Sequence, residues 1–117
     1  MLASKMERKI HNILANAGIP FEEEYSFNDL VSSSNRKLYF DFAIFDDEGE
    51  LLCLIEAQGR QHYQPVEKFG GQKGLARQQY NDTLKRRYCL KHNYKLISIP
   101  WFKENELNYN YLTQLIY

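Results

Sequence analysis

The chain has 117 residues, with 15 lysines and arginines balanced by 15 aspartates and glutamates, and is 44% hydrophobic and 15% aromatic. That length predicts a single domain, residues 1–117, with enough apolar material for a core. No run approaches the roughly 18 apolar residues of a membrane span, and the opening MLASKMERKIHNIL lacks the uninterrupted apolar core and cleavage site of a signal peptide, so no membrane partner and a cytoplasmic location are expected.

Residues 4–17 read as an amphipathic helix, because Met6, Ile10, Ile13, Leu14 and Ala17 recur at helical spacing. Gly18 and then Pro20 stop it. Glu7 lies at the edge of the apolar stripe, on the flank of Leu14; it either reaches inward over a sheet or pairs with a base such as His11. Residues 21–27 read as a short strand and 31–35, VSSSN, as a loop. Residues 38–45 and 51–58 read as strands around the turn DDEGE. Both are apolar on both faces, which predicts central strands covered by helices. Residues 60–74 read as irregular, with GGQKG (70–74) a mobile flap carrying Lys73. Residues 75–92 read as a second helix, with Ala76, Tyr80, Leu84 and Tyr88 at i, i+4 steps. YKLISIP (94–100) reads as a third core strand and 104–117 as a terminal helix. The order predicts an α/β fold, a mixed sheet flanked by helices.

The stretch from Leu38 to Tyr63 carries the chemistry. Asp41 interrupts one apolar strand, and an acid there is costly to bury without a partner. The turn brings Asp41 level with Ile55 or Glu56, and Glu56 shares a face with Gln58 because strand side chains alternate. Two carboxylates brought together would repel, and a hard divalent cation such as Mg²⁺ or Mn²⁺ suits oxygen ligands of this kind. The alternative is that Asp41 accepts hydrogen bonds from a neighbouring loop while Glu56 pairs with a lysine. His62 follows the Gly59 turn just past a strand end, where a neutral imidazole could take a proton from water. Asp82 is the one acid in the basic helix: it partners His62 or a metal shell, or else, three and four residues on, Lys85 and Arg86. Tyr63, Phe69 and Trp101 are candidate stacking groups or simple packing.

Charge is segregated although the total is neutral. Residues 21–58 hold ten acids and two bases, and residues 60–95 hold nine bases and two acids. Such a division suits a protein that holds a cation and meets a polyanion, unless the halves neutralise each other across the fold. Arg77, Lys85, Arg86, Arg87 and Lys91 cannot all face one way on a helix, so some contact phosphates and the rest are solvated. Cys53 and Cys89 lack CxxC spacing and read as buried thiols in a reducing compartment.

With these residues in place, the chain resembles the PD-(D/E)XK nuclease superfamily, and within it the very-short-patch-repair (Vsr-like) branch and the phage-associated EDxHD homing endonucleases. The resemblance runs from SKMERKI through YFDFAI, IEAQGRQHYQPVEKFGG and QQYNDTLKRRYC to YKLISIPW. It implies a restriction-endonuclease-like fold and Mg²⁺- or Mn²⁺-dependent hydrolysis of DNA phosphodiesters. It places the family's E on Glu7, its first D (the principal metal ligand) on Asp41, its variable position on Gln58, its H (the general base) on His62 and its last D on Asp82. Glu56 takes the position of a second metal-binding acid. Arg60, Lys73, Arg77, Lys85 and Arg86 would dock the DNA backbone. The setting implied is a prokaryotic or phage-infected cell, and a homodimer is compatible with it. There are departures. Gln58 stands where the wider superfamily has lysine and cannot supply a positive charge. The Cys/His cluster of the mismatch-repair enzymes has no counterpart, so no structural zinc is expected. The chain has no room for the separate DNA-binding region of homing endonucleases. The rival readings are a catalytically inactive module of the same fold that binds DNA or a host protein, such as a phage inhibitor, and a junction resolvase.

Overall fold

A computed structural model describes residues 4–117. Residues 1–3, the start of the stretch read as lacking a signal peptide, lie outside the described residues. The elements follow in the order α1 (Lys5–Ala17), β1 (Phe21–Val31), β2 (Lys37–Phe45), β3 (Leu51–Gln58), α2 (Gly71–His92), β4 (Leu96–Pro100) and α3 (Tyr109–Ile116). Short 3₁₀ turns occupy Arg60–His62, Glu67–Phe69 and Trp101–Glu106. The sheet runs β1-β2-β3-β4, antiparallel between the first three strands and parallel between β3 and β4. The fold is therefore α/β, with a mixed sheet flanked by helices, and β2 and β3 are its central strands. No helix among the described residues is long and apolar enough to cross a membrane.

Each sheet face has its own core. Met6, Ile10 and Leu14 of α1 and Leu112 and Ile116 of α3 pack with Phe42, Ile44, Cys53, Ile55, Ile97 and Ile99. On the other face Leu30, Leu38, Phe40, Ala43 and Leu54 pack with Cys89 of α2. Leu14 and Ile10 are fully buried, and each such side chain stabilises the fold by about 1.5–3 kcal/mol. The first turn of α1 is closed by Ser4, whose Oγ accepts from the Glu7 amide at 3.1 Å. Its end is closed by Gly18 at φ +68°, as the Gly-x-Pro signal predicts.

One irregularity positions everything that follows. Strict alternation would put Phe40 and Phe42 on the same face, yet Phe40 belongs to the α2 core and Phe42 to the α1 core. The alternation breaks at Asp41. On β1 it breaks opposite, at Glu24, which adopts φ +51° and is skipped by the ladder between Glu23↔Phe42 and Tyr25↔Phe40. The β2–β3 ladder, read toward its open end, stops at Phe42↔Ile55. Beyond it β3 continues against β4 through Glu56↔Ser98 to Gln58↔Pro100. Here β2 and β3 part, and Asp41 and Glu56 are the next residues on either side.

Three sequence expectations are corrected. GGQKG is not a flap: α2 begins at Gly71 and carries Lys73 in its first turn. Gly74 is required there, because a Cβ at that position would lie 1.8 Å from the Phe69 carbonyl oxygen. The inward face of α2 is Gly74, Lys85 and Cys89 rather than Ala76 and Tyr80, both of which are exposed. Apolar residues are scattered around this helix, so periodicity could not select the face. The last helix is shorter than expected, since residues 101–106 wind as a 3₁₀ turn before Asn108 caps α3 through the Tyr111 amide.

Candidate functional site

Asp41 fills the place that a backbone carbonyl would hold in a continued ladder. Its Oδ2 accepts from the Ala57 amide of β3 at 2.7 Å. Burial pushes its carboxyl up to about 7; the Glu56 carboxylate adds to the rise, the Ala57 amide opposes it, and Glu7 from α1 adds again. Glu7, at the first turn of α1, lines a cavity together with Ala57 of β3. Its expected alternative partner, His11, bonds to Glu23 instead. Asp41 and Glu56 stand level across the parting strands, so the alternative that the turn left open, Ile55, is taken by Phe42.

Glu56 is 4% exposed and meets the Nζ of Lys85, itself 8% exposed, at 2.9 Å. Burial raises the Glu56 carboxyl, and the Lys85 ammonium works against that rise. The same ammonium lies 5.5 Å from the centre of the Phe40 ring, so it is held between a carboxylate and an aromatic face. Expected as a phosphate-docking side chain, Lys85 is instead an interior partner of Glu56. It shares the buried stripe of α2 with Gly74, about three turns before it, and Cys89, one turn after it.

His62 and Asp82 do come together. The His62 Nδ1 lies 2.9 Å from Asp82 Oδ2, and Gln78 Nε2 donates to the other oxygen of Asp82 at 3.1 Å. In the neutral tautomer whose Nδ1 donates to the Asp82 carboxylate, Nε2 is the nitrogen that can accept a proton. The Arg60–His62 turn delivers the ring, and α2 delivers Asp82 one turn before Lys85. Both His62 and Asp82 act electrostatically on Glu56. Glu56 thus feels His62 and Asp82, and itself raises Asp41. Gln58 accepts from the Tyr63 hydroxyl at 2.5 Å. A cavity of ≈ 30 Å³ lies among Glu56, Gln58, Asp82, Lys85, Arg86 and Ser98, which is room for about one water.

The oxygen set of Asp41, Glu7 and Glu56 is chemically suited to a hard divalent cation, since like charges raise the proton affinity of Asp41. As folded, however, no cluster of three or more metal-ligating side chains is preassembled among the described residues, and Glu56 is engaged by Lys85. Around the site, Arg60, Lys73, Arg77 and Arg86 are exposed. Arg60 lies over the Trp101 ring at 5.6 Å, and Tyr63, Phe69, Trp101 and Phe102 are exposed on this side of the molecule. Cys53 and Cys89 are buried free thiols, with burial raising each to about 11.

No family model matches the chain, and no solved structure matches it. It is similar to uncharacterized protein 307L of Invertebrate iridescent virus 6, 40% identical over 85 residues, which is 72% of this chain and 42% of that protein. It is also similar to uncharacterized protein 094L of Frog virus 3 (isolate Goorha), 47% identical over 53 residues, 44% of this chain and 34% of that protein. The chain spans less than half the length of these curated relatives.

Proposed function

We propose that the protein is a metal-dependent DNA endonuclease of PD-(D/E)XK type that hydrolyses phosphodiesters in a virus-infected cell. The observation that supports this reading best is the position of Asp41 and Glu56 at the parting of β2 and β3, beside the His62–Asp82 pair. Asp41, with Glu7 or Glu56, would hold Mg²⁺ or Mn²⁺, which supplies Lewis-acid polarisation of a phosphate and activation of water. Asp82 holds His62 through Nδ1, so Nε2 receives the proton of the attacking water. Lys85 holds Glu56 and balances its charge. Arg60, Lys73, Arg77 and Arg86 dock the DNA backbone, a contact that weakens steeply with salt.

Plasmid nicking with Mg²⁺ and with Mn²⁺ tests the reading. Wild type is expected to cut, Asp41→Ala to abolish cutting, and His62→Ala to slow it by about 10²–10⁴-fold, the usual contribution of a general base. Binding of DNA without cutting, in every metal and on linear, nicked and four-way substrates, would sink it. That result would favour the second reading, a non-catalytic module on the same fold. The occupation of Glu56 by Lys85 and of Gln58 by Tyr63 is the observation on its side.

A further inference from the structure

A cleft of ≈ 760 Å³ lies between the turn that joins β1 to β2 and the N-terminal half of α2. The turn contributes three consecutive serines, Ser32 to Ser34, followed by Arg36 and Lys37; the helix contributes Arg77 and Tyr80. The turn is built rather than loose. Ser32 N donates to the Arg36 carbonyl at 2.8 Å, Asn35 N donates to the Ser32 carbonyl at 2.9 Å, and the Ser32 Oγ accepts from the Arg36 amide at 3.3 Å. Asn35 turns the chain at φ +61°.

The charge here is arranged against what self-neutralisation would give. Arg36 and Lys37 are the two bases of an otherwise acidic stretch, residues 21–58. The fold does not bring them to its acids. It brings them across from Arg77 of the basic helix, and no acid lines the cleft. Among the described residues none of the three cations makes an ion pair. Tyr80 is 52% exposed and makes no hydrogen bond or ring contact among them. Cations with no internal partner, hydroxyl donors and a bare aromatic face in one groove are the ingredients with which proteins hold an unpaired nucleic-acid strand: the cations track the phosphates and a base stacks on the ring. A duplex would offer the phosphates but no free base face to Tyr80. On α2, Arg77 and Asn81 of the cleft each precede by one residue Gln78 and Asp82, which hold His62.

We propose that this cleft binds a single-stranded segment of the nucleic-acid substrate, with Arg36, Lys37 and Arg77 on its phosphates and Tyr80 stacked on a base. The inference rests on the nucleic-acid reading above but not on catalysis. It is tested by fluorescence anisotropy in Ca²⁺ and in EDTA, with a labelled 15-nucleotide strand, the corresponding blunt duplex, and poly-glutamate as a competing polyanion. Wild type is expected to favour the strand. Arg36→Ala/Lys37→Ala should weaken strand binding at least 10-fold and lower the slope of log affinity against log salt by about 1.4, two contacts at about 0.7 each. Tyr80→Ala should weaken the strand at least 5-fold and leave the duplex within 2-fold. All three side chains are exposed, and circular dichroism verifies that the variants fold. Equal affinity for strand and duplex, displacement by poly-glutamate at equal charge, or indifference to Tyr80→Ala would overturn the proposal. Strand binding of the expected kind in a protein that never cuts would leave the cleft standing and remove only the nuclease.

Discussion

The two faces of the sheet are built from different materials. Toward α1 and α3 the buried cluster is wholly apolar. Toward α2 the apolar residues surround an ion pair, Glu56–Lys85, and at its edge a histidine–carboxylate pair, His62–Asp82. Where β2 and β3 part, Asp41 feels Glu7 of α1 as well as Glu56 and Lys85 of the α2 side. The lesson is one of division of labour: one face holds the sheet, and the other orients polar groups at its open end.

The most damaging substitution expected on stability is Lys85→Met. It leaves Glu56 buried and unpaired, a loss of about 3–5 kcal/mol, whereas Glu56→Gln/Lys85→Met should recover most of it. Urea titration of the two single variants and the double variant measures the coupling. If Lys85→Met unfolds at the wild-type midpoint, the ion pair does not organise the α2 face and the comparison fails. Leu14→Ala probes the opposite face. It should cost about 2–4 kcal/mol by opening a cavity under α1, with DNA affinity unchanged at temperatures where the variant is folded.

That contrast was only half legible in the sequence. Strands 38–45 and 51–58 were readable because both are apolar on both faces, and α1 because its stripe is regular and its stop signals are strong. The chain order of elements followed. That Asp41 and Glu56 stand near one another was readable in outline from acids in two strands joined by a hairpin, whereas the places of His62 and Asp82 came from the family resemblance. What could not be read depends on packing between distant segments. Gly74 marks a close approach to Phe69, yet in sequence a cluster of glycines looks like a loop. Lys85 looks like one more base in a basic helix until the face of α2 is known, and that face is set by Gly74 and Cys89 rather than by the apolar periodicity. The break of alternation at Asp41 leaves no mark in the sequence of β2; it shows in the fold, where Phe40 and Phe42 enter opposite cores and Glu24 of the neighbouring strand takes φ +51°.

The boundary residue gives a pH test. Asp41 keeps its proton in the fold up to about 7, while the unfolded chain gives it up near the ordinary aspartate value of 3.8. Between those limits the native state binds more protons, so stability falls as pH rises from about 4 to about 7 and levels off above. Glu56, also raised, adds a contribution of the same sign. Thermal unfolding in EDTA across this range should show the decline, and Asp41→Asn should flatten it. Because a cation needs the carboxylate, added Mg²⁺ should stabilise wild type more at pH 8 than at pH 5.5. An Asp41→Asn protein with the wild-type slope would mean that the boundary is not where the proton is held.

The smallest effect should come from Ser4→Ala. The serine hydroxyl closes the first turn of α1 on the Glu7 amide, and its loss should cost about 1 kcal/mol. Leu14 and Ile10 anchor the helix further along, so the apolar face survives the change. What frays is the turn that carries Glu7 toward Asp41. If the apolar layer serves the site only as a platform, Ser4→Ala lowers the melting temperature slightly and leaves cleavage and the pH slope untouched. If α1 takes part through Glu7, the pH slope becomes shallower, because Glu7 is one of the charges that raises Asp41, and Glu7→Gln produces the same change without loosening the helix. Agreement between the two variants would assign α1 a place in the site; a slope indifferent to both would return it wholly to the apolar face.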